Sequence, residues 1–320
     1  MGSVLVTGGA GYVGSVLVPK LINDFESVIV CDTLWFGNYL KSHPKLRIIN
    51  KKVADLVEQD LDGVTSVIHL AGIPNDATAD LNPNLSWEVN VLHTTILLAL
   101  CNKVTSIDTF IFASSGSVYG VSEREHVTEE ADLLPITIYN KTKMSAERVV
   151  KSYSDRFKIF IFRPATICGV SPRMRFDVTV NLFVEQAFSH KSLMVLGGNQ
   201  VRPNIHIEDM VTLYRCALGI DSVKLPPGIY NAGFENKTIS DIASLVAEFT
   251  QSSIAYSKSN DPRSYRLNSD KLLNLGFIPQ KNVEVAIREV WNALESDEVK
   301  IDEKTFSVKW LRTILLAENV

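Results

Sequence analysis

The chain has 320 residues, more than twice an ordinary domain, which allows one large α/β unit or two lobes. Its 46% hydrophobic and 21% charged residues exclude a disordered chain, and 17 Gly with 12 Pro exclude a collagen-like or low-complexity one. A net charge of −4 gives no general attraction to nucleic acid or to an anionic membrane. The longest apolar stretch, residues 91–100, is interrupted by His93, Thr94 and Thr95 and is too short to span a bilayer. Met1-Gly2-Ser3-Val4 has no basic segment and leads straight into a strand-like run, so no secretory signal is expected, and Val6 in place of Ser or Thr fails the myristoylation pattern. Cys31, Cys101, Cys168 and Cys216 lie far apart without a C-x-x-C pair, which predicts free, buried thiols in a reduced cytoplasmic protein with no metal site.

In chain order, Val4-Leu5-Val6 is a short apolar run that ends in Thr7-Gly8-Gly9-Ala10-Gly11, as a strand buried on both faces of a parallel sheet would. Helical spacing follows over residues 12–22, and three more strand-like runs stand at Val28-Ile29-Val30, Val67-Ile68-His69-Leu70 and Phe110-Ile111-Phe112. Residues 84–102 and 139–154 read as long helices, and Ile159-Phe160-Ile161-Phe162 as another buried strand. This alternation predicts a Rossmann-type α/β fold, a doubly wound parallel sheet over residues 1–165. Beyond Arg163-Pro164 the strands shorten, with helices near 178–190, 208–219, 238–250 and 283–296 and a terminal helix over 306–316. Residues 166–320 are therefore read as mainly a smaller substrate-binding lobe, with some elements returning to the first domain.

Gly8, Gly11 and Gly14 sit between the first strand and the first helix. Glycine there permits a tight turn and a close approach of backbone to a diphosphate at the helix N-terminus, although turns also use glycine for purely structural reasons. Asp32 closes the second strand, 18 residues after Gly14, where a carboxylate can accept the ribose hydroxyls of adenosine and repel a 2′-phosphate. Thr33-Leu34-Trp35 brings no arginine, so NAD is expected over NADP; a turn-capping aspartate is the structural alternative.

Tyr139 and Lys143 are four residues apart at the head of a helix and share a face. A nearby ammonium favours the phenolate, which would make Tyr139 a general base. Ser115 follows the strand 110–112 at the sheet edge where such folds bind ligands, and its hydroxyl can hydrogen-bond the reacting oxygen.

Taken together, Thr7-Gly8-Gly9-Ala10-Gly11-Tyr12-Val13-Gly14, Asp32, His69-Leu70-Ala71-Gly72, Ser114-Ser115-Gly116-Ser117-Val118-Tyr119-Gly120 and Tyr139-Asn140-Lys141-Thr142-Lys143 resemble the extended short-chain dehydrogenase/reductases, in their nucleotide-sugar epimerase/dehydratase branch. Arg163-Pro164 and residues 202–209 carry the resemblance into the second half. It implies a catalytic trio of Ser115, Tyr139 and Lys143, and an NAD site of Gly8, Gly11, Tyr12, Val13, Gly14, Asp32, Leu70, Ala71 and Gly72 with Asn90 in support. It further implies that Ser117, Thr166, Asn181, Arg202 and Arg263 contact a nucleotide-diphosphate sugar, and that the chain forms a homodimer through helices 84–102 and 139–154. Surface ion pairs are the alternative for Arg202 and Arg263, packing for Tyr119 and Phe176, and Arg173 and Arg175 are open between phosphate and solvent.

The resemblance also narrows the reaction. The 4,6-dehydratases carry an Asp-Glu pair after the catalytic hydroxyl, whereas Gly116-Ser117 stands here. Decarboxylases have a glutamate at the Ser117 position and GDP-fucose-forming reductase–epimerases a cysteine. What is left is oxidoreduction at C4, as 4-epimerisation through a transient 4-keto sugar or as a net C4 dehydrogenase or 4-keto reductase. Thr166 replaces the asparagine of UDP-galactose 4-epimerases, and residues 163–177 look closer to a group that includes GDP-heptose C4 dehydrogenases. A non-catalytic NAD-sensing protein is the alternative from another class; it would not need Ser115, Tyr139 and Lys143 together.

Overall fold

Runs that are apolar on both faces become inner strands of a parallel sheet, because helices cover both sides of it. The computed structural model describes residues 2–121, 126–258 and 264–318. Six strands come first: β1 (Ser3–Thr7), β2 (Ser27–Asp32), β3 (Leu46–Asn50), β4 (Val64–His69), β5 (Thr109–Ala113) and β6 (Lys158–Pro164). The shorter β7 (Thr166–Cys168), β8 (Ser192–Leu196) and β9 (Val201–His206) precede β10 (Gly228–Ala232), β11 (Glu235–Thr238) and β12 (Ser253–Ser257). Among the described residues the main sheet has the order β10-β6-β5-β4-β1-β2-β3 and every pairing in it is parallel. Strand β1 lies between β2 and β4, so the winding direction reverses at its C-terminal end. That reversal leaves a crevice where α/β sheets bind ligands.

The helices are α1 (Gly14–Leu21), α2 (Asp76–Ala79), α3 (Pro83–Trp87), α4 (His93–Lys103), α5 (Ile138–Lys151) and α6 (Thr179–His190). They continue with α7 (Ile207–Ala217), α8 (Ile239–Thr250), α9 (Asp270–Asn274), α10 (Val283–Glu295) and α11 (Ser307–Glu318). One face of the sheet packs Val4, Val6 and Ile111 against Leu17 and Leu21 of α1 and Leu213 and Tyr214 of α7. The other packs Leu5, Val67 and Phe110 against Leu97 and Cys101 of α4 and Ala146 and Val150 of α5. A further core joins Phe183 and Val184 of α6 to Ile242 and Val246 of α8 and Ile287 and Val290 of α10.

Two features depart from the sequence expectations. The single helix expected over 84–102 is α3 and α4 joined by a π-helical turn at Glu88–Leu92. The edge strand β3 is not visible as an apolar run, because Arg47 and Asn50, exposed on opposite faces of the strand, leave only Ile48 and Ile49 adjacent. All four cysteines are free and buried. No described helix is long and apolar enough to cross a membrane.

Candidate active site

A cavity of about 560 Å³ follows the C-terminal ends of the main-sheet strands, within the range of ligand pockets. Gly8, Gly11, Tyr12, Val13, Gly14, Asp32, Leu70, Ala71 and Gly72 all line it. Gly8 adopts φ +69°, and a Cβ there would come within 2.6 Å of the Ala71 nitrogen, so this turn admits no side chain. A Cβ on Gly72 would lie 2.9 Å from Asn90 Oδ1 and 3.3 Å from Lys143 Nζ. Asp32 accepts amide protons from Ala10 (3.0 Å) and Leu34 (2.9 Å), which tie its carboxylate to the glycine loop. Burial raises the Asp32 pKa, and those two amides and Arg173 oppose the shift. This cradle fits a dinucleotide: bare backbone at a helix N-terminus and a carboxylate at the end of the second strand. His69 belongs to its frame, with Nδ1 2.6 Å from Thr7 Oγ1 and Nε2 2.9 Å from Thr94 Oγ1. Burial lowers its pKa to about 3, so the ring stays neutral.

Helix α5 begins at Thr137, whose hydroxyl oxygen accepts from the Asn140 amide at 3.2 Å while its proton goes to Asp76 Oδ1. This start places Tyr139 and Lys143 on the cavity side, where both line it with Ser115 and Ser117. The Ser115 and Ser117 hydroxyl oxygens are 2.8 Å apart. The Lys143 ammonium donates to the Ala113 carbonyl at 2.9 Å, and Lys143 is not among the groups that shift the Tyr139 phenol in the protein alone. Burial pushes the Tyr139 phenol up to about 12, partly offset by its hydrogen bond with Ser115. Burial also brings Lys143 down to about 8, against the pull of Glu147. Glu147 is held by Arg163 through Nε (3.0 Å) and Nη2 (2.7 Å), and it accepts from the Ser114 hydroxyl.

Thr166 and Arg202 line the same cavity; Arg263 lies outside the described residues. Two expected site residues stand behind the wall. Asn90, in the π turn, accepts from the Ile73 amide at 2.8 Å and donates to Thr142 Oγ1 at 3.0 Å, so it braces the Gly72 loop against α5 without facing the cavity. Asn181 is fully buried off the cavity: it accepts from the Gly169 amide (3.1 Å) and donates to Tyr12 Oη (3.0 Å) and the Arg175 carbonyl (2.9 Å). Those bonds occupy its amide and make it a brace, a correction to the substrate contact expected of it. The Tyr12 hydroxyl, spent on the Gly169 carbonyl at 2.7 Å, likewise leaves only the rest of that residue to the cavity. Tyr119 and Phe176 are buried packing residues, Tyr119 with its hydroxyl donating to Asn231 Oδ1.

Residues that sequence reasoning did not place also line the cavity. Arg173 and Arg175 both face it, and Arg175 donates through Nε to Asp177 at 3.0 Å. Helix α11 contributes Ser307, Val308 and Leu311, while its Trp310 donates to the Trp35 carbonyl at 2.6 Å. Clustered arginines were the only sequence signal for the first pair. For α11 the apolar spacing of residues 306–316 showed a packed helix but not what it packs on.

A model of the NAD dependent epimerase/dehydratase family matches residues 4–233. Among curated proteins, the chain is 30% identical over 311 residues to a putative UDP-glucose 4-epimerase of Methanocaldococcus jannaschii, spanning 92% of this chain and 99% of that one. Among solved structures, it is similar to the UDP-glucuronic acid 4-epimerase of Bacillus cereus in complex with UDP-glucuronic acid and NAD. There the TM-score is 0.81 at 25% identity, over 92% of this chain and 99% of the other. The dTDP-glucose 4,6-dehydratase of Streptomyces venezuelae shares the fold, with TM-score 0.83, 23% identity and coverage of 92% and 98%.

Proposed function

This chain belongs to the NAD dependent epimerase/dehydratase family and takes NAD as its cofactor, and we propose that it carries out oxidoreduction at C4 of a nucleotide-diphosphate sugar, with 4-epimerisation through a transient 4-keto sugar as the reaction. Bound NAD supplies the hydride acceptor and donor. Gly8, Gly11, Gly14 and Asp32 would hold it, and Gly72, with no side chain to approach Lys143, would keep that wall of the cavity open to it. Tyr139 takes the C4 hydroxyl proton while Ser115 orients that oxygen by a hydrogen bond. Burial holds the Tyr139 phenol near 12 in the protein alone, and positive charge beside it would favour the phenolate.

The observation that carries the assignment is at residues 116 and 117. A Cβ on Gly116 would meet Leu267 Cδ1 at 2.8 Å, so this position has no space for an acidic side chain unless Leu267 shifts. The Ser117 hydroxyl is engaged with Ser115. Removal of a C5 proton and protonation of a leaving C6 oxygen both need groups with matched pKa values, which a serine hydroxyl does not provide. Of the two aspartates after the Gly72 loop, Asp76 lines the cavity and Asp80 is exposed away from it. The test is a panel of UDP-, GDP-, CDP- and dTDP-linked hexoses and heptoses with product read by mass spectrometry and NMR. Wild type is expected to change a member of the panel at C4, and Tyr139→Phe to lose about 100-fold or more in rate while binding NAD normally. Near wild-type turnover by that variant would remove Tyr139 from the assignment.

A further inference from the structure

We infer that Arg173 reaches across the cavity to grip the diphosphate of the bound cofactor, closing the site opposite the glycine loop. Its backbone position is fixed by that loop. The Arg173 amide donates to Ser15 Oγ at 3.3 Å in the first turn of α1, and the neighbouring Ser171 hydroxyl donates to the Tyr12 carbonyl at 2.6 Å. Thus the segment carrying Arg173 rests on the helix end whose amides suit an anion.

The side chain is poorly compensated for its burial. Arg173 is 4% exposed and lines the cavity. Its guanidinium lies 4.0 Å from the Phe36 ring centroid, and Nη2 donates to Ser307 Oγ at 3.1 Å. Nε is buried with no hydrogen-bond partner, and Arg173 makes no salt bridge among the described residues. Burial, with the like charge of Arg175 beside it, lowers the Arg173 pKa to about 10, and Asp177, Tyr39 and Asp32 only partly offset that. A buried cation short of partners costs stability unless an anion joins it. The missing group must be anionic, accept from a planar fork and lie beside the N-terminus of α1. A diphosphate meets all three requirements. Asp32 serves the ribose next to it, so the two side chains divide the adenosine half of the cofactor between charge types.

A structural arginine and a ligand-gripping one respond oppositely to replacement by an apolar side chain of similar length. The experiment uses protein freed of nucleotide, as wild type, Arg173→Met and Arg173→Lys. It reads the thermal midpoint without ligand, and calorimetric affinities for ADP-ribose, ADP and adenosine. For Arg173→Met the expected result is a midpoint equal to or above wild type, ADP-ribose and ADP weakened about 10- to 100-fold as for loss of a charge-assisted contact, and adenosine changed less than about threefold. Arg173→Lys, which keeps the charge without the fork, should fall between the two and serves if the methionine variant does not fold. Unchanged ADP-ribose affinity in either variant overturns the proposal, as does an equal loss for adenosine and ADP-ribose.

Discussion

At the scale of single residues, the site joins groups whose burial makes them unlike their free forms. Tyr139 is a phenol near 12 and Lys143 an ammonium near 8, each shifted mainly by burial. Burial raises the Asp32 pKa, and the Leu34 and Ala10 amides that hold its carboxylate oppose that shift. It should therefore decide between cofactors. Wild type is predicted to bind NAD more tightly than NADP. Asp32→Ala should weaken NAD and strengthen NADP by roughly tenfold each, the order of one charge-assisted hydrogen bond of about 1.5 kcal/mol or more. Arg173 stands close enough to influence the Asp32 pKa and would favour the extra phosphate once the carboxylate is gone. Calorimetric titration with both cofactors checks this, and tighter NADP binding by wild type would contradict it.

Elements set where those residues stand. Helix α5 carries Tyr139, Lys143 and Glu147 at spacings of four, so one face holds the phenol, the buried ammonium and the carboxylate that supports it. A lysine whose folded pKa is about 8, below its ordinary 10.5, opposes folding while it is protonated. As pH rises from about 8 to 10.5 the folded chain has shed this proton and the unfolded chain still binds it, so the Lys143 contribution to stability rises across that window. Unfolding free energies of wild type and Lys143→Met, measured across that range, should show wild type gaining on the variant. A constant difference would mean that Lys143 is not buried as an ammonium.

The elements also show what the sequence made legible. The runs at 4–6, 28–30, 67–70, 110–112 and 159–162 reveal strands because an inner parallel strand is apolar on both faces. The glycine turn and the Tyr139–Lys143 spacing are equally local, so they were readable with their chemistry. The π turn that sets Asn90 behind the Gly72 loop was not, since a single widened turn leaves the apolar period nearly intact. For Asn181 the family resemblance implied a substrate contact, and only the tertiary contacts with Tyr12, Gly169 and Arg175 show its amide to be occupied.

For the whole molecule, long-range pairing brings distant segments to one cavity. Strand β10 joins the main sheet beside β6, more than 60 residues later in the chain, and no periodicity announces such a partner. Segment 169–177 settles on α1, and α11 fastens to the Trp35 carbonyl through Trp310, so both walls opposite the sheet come from the last half of the chain. The enclosed site brings Ser115, Tyr139 and Lys143 together with no carboxylate at 116 or 117, and the central claim is that its chemistry stays at C4. The most direct measurement is to run an accepted nucleotide sugar in deuterated water and follow its mass and NMR spectrum. The account predicts a C4 epimer with every carbon-bound hydrogen retained and no water lost, since hydride returns to the carbon it left. A product that has lost water and carries deuterium at C5 would contradict it, and would point to Asp76 as the base.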